Sequence, residues 1–186
     1  MNIKRIVLTK SGTLNVSYSN EDGDAIAVNG ANIVHQDMRT AMARLMPHLV
    51  MLTEQVESQC EDLEKLRNDE DLHRRMSVLS LDIKGGEVSI SGTRVTSRGE
   101  IVKVSTAKVD LEQTEYPWAD ELGLDVDNAR YEAELYITER KWGLKQMTID
   151  FDNPFDGVEA VSVASVEIQT AEESTTAQKS KETATA

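Results

Sequence analysis

The chain has 186 residues with 33 acidic and 20 basic side chains, so its formal charge is −13. This length suits one domain, with or without appendages. The charge disfavours a general duplex-DNA or membrane-surface binder, because both of those partners are polyanions. The single cysteine excludes an internal disulfide and a cysteine-based zinc site. The sequence has no apolar run of about 18 residues and no signal-peptide pattern, which predicts a cytoplasmic protein without a membrane segment.

The first 34 residues predict three antiparallel strands joined by short turns. Residues 3–8 are rich in β-branched side chains, and Leu14, Val16 and Tyr18 alternate with polar residues. A third short strand is expected over 25–28, ending before an Asn-Gly pair. These three strands predict a β-meander.

A long amphipathic helix is predicted next. Apolar residues recur at steps of three and four, which places them on one helix face; they are Met38, Ala41, Met42, Leu45, Met46, Leu49, Leu52 and Val56. Pro47 lies inside this pattern and predicts a kink or a break between two helices. Residues 54–71 are strongly acidic and fit a solvated helix extension or a loop.

A second group of strands follows from Met76. Leu79, Leu81 and Ile83 alternate with polar residues up to Gly85-Gly86, and Val88 and Ile90 alternate up to Gly92. A longer strand is expected over 101–109. The segment Tyr116-Pro117-Trp118 predicts a turn or a docking loop.

A second helix is predicted over 128–141, with an N-cap within 125–127 and its end at Gly143. A strand remains an alternative, because apolar residues also alternate between Tyr131 and Ile137, but the Ala, Glu and Leu content favours a helix. Residues 145–151 then fit a strand, residues 158–169 a peripheral strand and residues 170–186 a disordered tail.

The predicted fold is therefore α+β, with antiparallel meanders packed on two main helices and a disordered C-terminal tail. The domain is expected to span 1–157. The predicted core contains the apolar residues that the strand and helix patterns turn inwards: Ile6, Leu8, Val16, Met42, Leu45, Leu49, Leu81, Val88, Ile90, Val102 and Ile137.

No complete catalytic or metal-binding motif is present. The spacing Ser105-x-x-Lys108 occurs without its companion motifs and on a predicted strand, and the acidic loop at 150–157 lacks two calcium ligands. Cys60 has no basic neighbour in sequence to lower its pKa. We therefore expect a protein that is not an enzyme and that has no cofactor and no metal.

The candidate site residues are charged or histidine side chains on or near the predicted elements. His35 and Asp37 open the long helix, where a capping histidine and a dipole-stabilising carboxylate explain them better than an acid–base or metal site. The methionines of the same helix are interpreted as core, with a partner-binding face as the minority reading. The residues selected as partner-binding candidates are His35, Asp37, Arg39, His48, Arg94, Arg98 and Lys103.

The segment His35-Gln36-Asp37-Met38-Arg39-Thr40-Ala41-Met42, followed by Pro47-His48-Leu49, resembles a group of uncharacterised bacteriophage and prophage proteins. The likeness covers about residues 1–151, including the Glu-, Ala- and Tyr-rich stretch 129–145. It implies a phage or prophage origin and a helix over 128–141. The group has no assigned activity, so the resemblance implies no reaction.

Three functions remain open from the sequence. The first is a non-catalytic phage accessory protein in the bacterial cytoplasm or the virion that binds a phage or host protein, with a homo-oligomer left open. The second is an accessory factor of phage DNA replication or recombination, in which a basic sheet face binds single-stranded nucleic acid. It draws on residues 1–20 and 84–108, each with a local charge of +3, although stacking aromatics are scarce there. The third is a DNA mimic that inhibits a host nuclease through the acidic stretch 109–139.

Overall fold

The computed structural model describes residues 1–60 and 62–143. The strands predicted over 145–151 and 158–169 and the tail predicted over 170–186 lie outside these residues. Within them the α+β class is confirmed, because two groups of antiparallel strands are each followed by helices along the chain.

Two β-meanders are separated by a group of helices, and a last helix follows the second meander. The strands are β1 (Asn2–Leu8), β2 (Thr13–Ser19), β3 (Ala25–Ile33), β4 (Met76–Lys84), β5 (Glu87–Val95), β6 (Ile101–Ser105) and β7 (Val109–Asp110). The helices are α1 (Gln36–Arg44), α2 (Met46–Leu52), α3 (Leu63–Arg67), α4 (Glu70–Arg75) and α5 (Ala119–Thr138), with a 3₁₀ turn at Val56–Cys60.

The two meanders form one antiparallel sheet in the order β3-β2-β1-β4-β5-β6, and β7 pairs with the start of β5. The first and fourth strands join the meanders, with Ile6 opposite Leu81 and Arg5 opposite Asp82. Because opposite residues in an antiparallel pair project on the same side, the register divides the sheet into two distinct faces.

The helices pack on one side of the sheet, which we call the covered face. Its central row crosses five strands and consists of apolar residues in register: Val28, Val16, Ile6, Leu81 and Ile90. Leu49 of α2 and Leu122 of α5 are fully buried in the same apolar cluster. Burial of this cluster is the main source of the stability of the fold.

Eight of the predicted core residues are buried: Ile6, Val16, Met42, Leu45, Leu49, Leu81, Val88 and Ile90. Leu8 and Ile137 are partly buried against the core. The prediction for Val102 is wrong, since its side chain is 40% exposed. It lies on the edge strand β6, where four of five residues are exposed, and alternation alone does not reveal an edge.

Two predicted strand boundaries are wrong. The third strand does not end before Asn29 but continues through Gly30 to Ile33. Glycine is required there, because a Cβ at Gly30 would collide with the Tyr136 hydroxyl and the Leu14 carbonyl. The strand expected over 101–109 is divided, because the Thr106 hydroxyl accepts the Ile90 amide at 3.0 Å and the chain leaves the sheet until β7.

The predicted long helix is divided into α1 and α2 at Leu45, two residues before Pro47. Of the kink and the break that Pro47 predicted, the structure shows the break. It ends at Leu52, so Val56 is 74% exposed and is not on the buried face as expected. The acidic stretch is not one helix extension or loop. Asp62 and Asp69 cap α3 and α4 by accepting backbone amides at 3.1 and 3.0 Å.

The last helix is confirmed over the strand alternative, but its predicted start is wrong. It begins at Ala119, nine residues before 128, and it ends at Thr138 rather than near Gly143. Asp120 and Glu121 occupy its first turn, where carboxylates favour the helix dipole. Asp125 is therefore not an N-cap, and it lies inside the helix with 4% of its surface exposed.

Candidate functional site

A buried polar network surrounds His48, whose side chain is fully enclosed. Its Nδ1 lies 2.8 Å from the Tyr116 hydroxyl, and its Nε2 lies 3.3 Å from Oδ2 of Asp125. Arg67 donates from Nη2 to the same carboxylate oxygen at 2.6 Å and also pairs with Glu64. The network therefore connects α2, α3, α5 and the loop before α5.

Both ring nitrogens of His48 therefore have a hydrogen-bonding partner. An N–H at Nε2 can donate to the Asp125 carboxylate, and the Tyr116 hydroxyl can donate to Nδ1. Burial raises the pKa of Tyr116, and the nearby Glu121 carboxylate adds to this rise, so the phenol keeps its proton. Because His48 is enclosed, the network stabilises the packing of the helices and does not present His48 to a partner.

The predicted neighbours His35 and Asp37 do lie together at the start of α1. The imidazole Nδ1 of His35 accepts the Asp37 amide at 3.3 Å, which is the predicted cap. The Asp37 carboxylate also lies 2.7 Å from Nζ of Lys141, which contacts Glu132 at 2.8 Å. The hydrogen bond from Lys141 lowers the pKa of Asp37. This cluster joins the start of α1 to the chain that follows α5.

Arg94 lies on the covered face of β5 and is engaged within the fold. Its guanidinium forms a two-bond pair with Glu57, at 2.7 and 2.8 Å, and donates to Gln55 at 3.0 Å. Both charged side chains are 19% exposed. The pair fixes the 3₁₀ turn against the sheet, and the hydrogen bond from Arg94 lowers the pKa of Glu57.

This pair predicts an acid-sensitive contribution to stability. Because the folded pKa of Glu57 lies below its ordinary value of 4.5, the contribution is complete above that pH and is lost as pH falls further. We expect Arg94→Gln to lower the free energy of unfolding by about 1 kcal/mol at neutral pH. The difference from wild type should shrink as the pH falls from about 5 to about 3 in urea titrations. Arg98→Gln, in the exposed β5–β6 turn, is the matched control and should show no such trend.

The opposite side of the sheet, which we call the open face, has none of the described helices packed on it. Short polar side chains dominate this face in register across six strands: Asn29, Asn15, Ser80, Ser91 and Ser105 form its central row together with Val7. A neighbouring row holds Ser17, Arg5, Asp82 and Ser89. The Ser91 and Ser105 hydroxyls lie 2.7 Å apart.

Basic side chains gather at one end of the open face, where the two basic regions of the sequence meet through the pairing of β1 with β4. A shallow groove of about 510 Å³ is lined there by Lys4, Arg5, Lys84 and Lys108. Arg5 pairs with Asp82 at 3.3 Å, and Lys108 pairs with Glu87 at 2.8 Å. Asp110 lies opposite Glu87 and projects on the same side. With Lys103, the five cations and the three carboxylates of this face give a net charge of 5 − 3 = +2.

The remaining predicted site residues do not join one site. Arg39 places its guanidinium beside Gly12 at the turn before β2. Arg98 lies in the β5–β6 turn, and Lys103 lies on the open face of the edge strand. The prediction missed Arg67, Tyr116 and Asp125, and the only sequence signal for Asp125 is an acid among apolar helix residues.

The acidic stretch 109–139 is partly used by the fold itself. Asp125 is buried against His48 and Arg67, and Glu132 contacts Lys141 through both of its carboxylate oxygens. These two carboxylates are not free to imitate a row of phosphates.

Comparisons with protein families, with curated proteins and with solved structures found no match. Within residues 1–60 and 62–143, no helix is long and apolar enough to cross a membrane. The same residues contain no group of three or more His, Cys, Asp or Glu side chains placed to hold a metal ion.

Proposed function

We propose that the protein is a non-catalytic accessory protein that binds another protein through the open face of its sheet. The observation that carries this proposal is a six-stranded face, free of described helices. Its central row presents the hydroxyl and amide side chains of Asn29, Asn15, Ser91 and Ser105 beside Val7 and the buried Ser80. Such an extended surface is rich in hydrogen-bonding groups, and it fits a folded partner better than a small molecule.

The charges on this face support a protein partner over a nucleic acid. Carboxylates of Asp82 and Glu87 lie among the cations, at 3.3 Å from Arg5 and 2.8 Å from Lys108. A surface of mixed sign is complementary to another mixed protein surface, whereas a nucleic-acid backbone is repelled by each carboxylate. The phage or prophage origin and the bacterial cytoplasm belong to this proposal through the resemblance of residues 35–49.

The test places a large side chain on the open face. Tryptophan is favoured in strands, so Ser91→Trp should fold normally while blocking close approach of a partner. Wild type should retain a stoichiometric partner from phage-infected cells, and Ser91→Trp should reduce its recovery at least about tenfold. Lys65→Trp, on the exposed surface of α3, is the matched control and should retain the partner.

Two results would contradict the proposal. One is recovery of the same partner by Ser91→Trp and Lys65→Trp in equal amounts. The other is a labelled single-stranded oligonucleotide that binds at low salt, dissociates at high salt and is lost in the Arg5→Gln, Lys108→Gln double variant. The second result would make nucleic acid the ligand of this face.

A further inference from the structure

A second concave site lies at the end of the interface between the sheet and α5. It is a cleft of about 320 Å³ between the start of β1, the β4–β5 turn and α5. Its apolar lining includes Val88 and Val126, which are nearly fully buried, together with Ile83 and Leu111. The volume falls in the range of small-molecule sites.

Three cations from three different elements line the cleft. They are Lys4 of β1, Lys84 at the end of β4 and Arg130 of α5, against one carboxylate, Asp127. Asp127 and Arg130 form an exposed pair at 3.1 Å. The lining therefore has a net charge of 3 − 1 = +2 in a chain whose total is −13. An anionic group is favoured at this cleft.

Gly123 lines the same cleft from inside α5 and has no packing reason to be glycine. A Cβ built at this position would meet no heavy atom within 4 Å outside its own helix. Glycine inside a helix costs about 0.5–1 kcal/mol relative to alanine. The residue therefore lowers helix stability, and its structural effect is to leave space in the wall of the cleft.

We propose that this cleft binds a small organic anion whose apolar body rests on Ile83 and Leu111, the partly exposed apolar residues of the lining, and whose phosphate or carboxylate head contacts Lys84 and Arg130. This site borders the groove on the open face and shares Lys4, Ile83 and Lys84 with it. Gly123 and Arg130 line the cleft alone, and Arg5 and Lys108 line the groove alone. The proposal of an anion site is independent of the proposed protein partner.

The probe for the test is phenyl phosphate, which joins an apolar ring to a phosphate. In amide NMR titrations of the full chain it should give saturable shifts at Gly85 and Gly86, beside the cleft. Inorganic phosphate lacks the apolar ring and phenol lacks the phosphate, so each should bind more weakly than phenyl phosphate. Phenylacetate replaces the head group by a carboxylate, so the tighter of the two probes identifies which head group the cleft prefers.

Variants distinguish binding of phenyl phosphate in the cleft from nonspecific electrostatic attraction of anions. Arg130→Gln should weaken binding of phenyl phosphate about three- to fivefold. Gly123→Ala should raise the melting temperature and weaken binding, and Gly123→Leu should abolish it. Lys108 lines the open-face groove and not the cleft, so Lys108→Gln should bind phenyl phosphate as tightly as wild type. The proposal is wrong if phenyl phosphate gives no saturable shifts, if Gly123→Leu binds as tightly as wild type, or if Lys108→Gln and Arg130→Gln lose affinity equally.

Discussion

Replacing Asp125 by alanine should lower the free energy of unfolding by about 3–5 kcal/mol, the largest loss expected from removing a charged side chain of this protein. The carboxylate is buried, and it accepts hydrogen bonds from Nε2 of His48 and Nη2 of Arg67. Its removal leaves a buried donor and a partly buried cation without their partner. Leaving such groups unpaired inside a protein costs more than the pair contributes when it is intact.

Urea denaturation of the two proteins measures this effect, and Asp127→Ala is the matched control on the same helix. Asp127 is exposed and forms an i,i+3 pair with Arg130 at 3.1 Å, so its loss should change stability by less than about 0.5 kcal/mol. Equal stability of Asp125→Ala and Asp127→Ala would mean that the His48 network does not stabilise the fold.

The network also explains why a fold prediction can succeed while the prediction of its polar centre fails. His48 and Asp125 are 77 positions apart, and their contact depends on how α2 and α5 pack on the sheet. Periodicity shows which helix face is apolar, but it does not indicate which polar residue on one helix meets which on another. The segment 125–127, which contains Asp125, was expected to hold a helix N-cap, since an acid before an Ala- and Glu-rich stretch is a common start signal.

The strands were predictable where one face is buried and the other is polar. The alternation at Leu14, Val16 and Tyr18 matches β2. In β4 the predicted alternation holds for Leu81 and Ile83 but not for Leu79, because a bulge between Val78 and Ser80 shifts the register. The errors occur where a tertiary contact changes a local preference: Gly30 remains in a strand beneath Tyr136, and Thr106 leaves one to bond with Ile90. Neither contact has a local sequence signature.

The charges of the described residues are distributed over the two faces of the sheet in a way that composition does not reveal. The local excess of basic residues in 1–20 and 84–108 was visible in the sequence, and the pairing of β1 with β4 places Arg5 beside Asp82. Arg94 belonged to the same basic region but faces the other side, where it binds Glu57. Strand alternation separates neighbouring cations, so a count of charges along the chain overestimates the basic surface.

The second large effect is expected at Gly92, at the centre of β5. A Cβ at this position would come closer than van der Waals contact to the Ser77 carbonyl oxygen and to Cδ2 of Leu49. We expect Gly92→Ala to lower the free energy of unfolding by at least about 2 kcal/mol, because β5 would have to shift relative to β4 and α2. Gly123→Ala is the matched control, since its Cβ meets open space, and it should be more stable than wild type by about 0.5–1 kcal/mol.

A double-mutant cycle identifies which neighbour causes the loss at Gly92. Leu49→Ala alone should cost about 2–5 kcal/mol, because the leucine is fully buried. If crowding against Leu49 dominates, the double variant should be more stable than the sum of the two single losses predicts. If the Ser77 carbonyl dominates, the losses should add, because backbone cannot rotate away as a side chain can. A Gly92→Ala protein as stable as wild type would show that β5 and α2 are not packed at the separation described here.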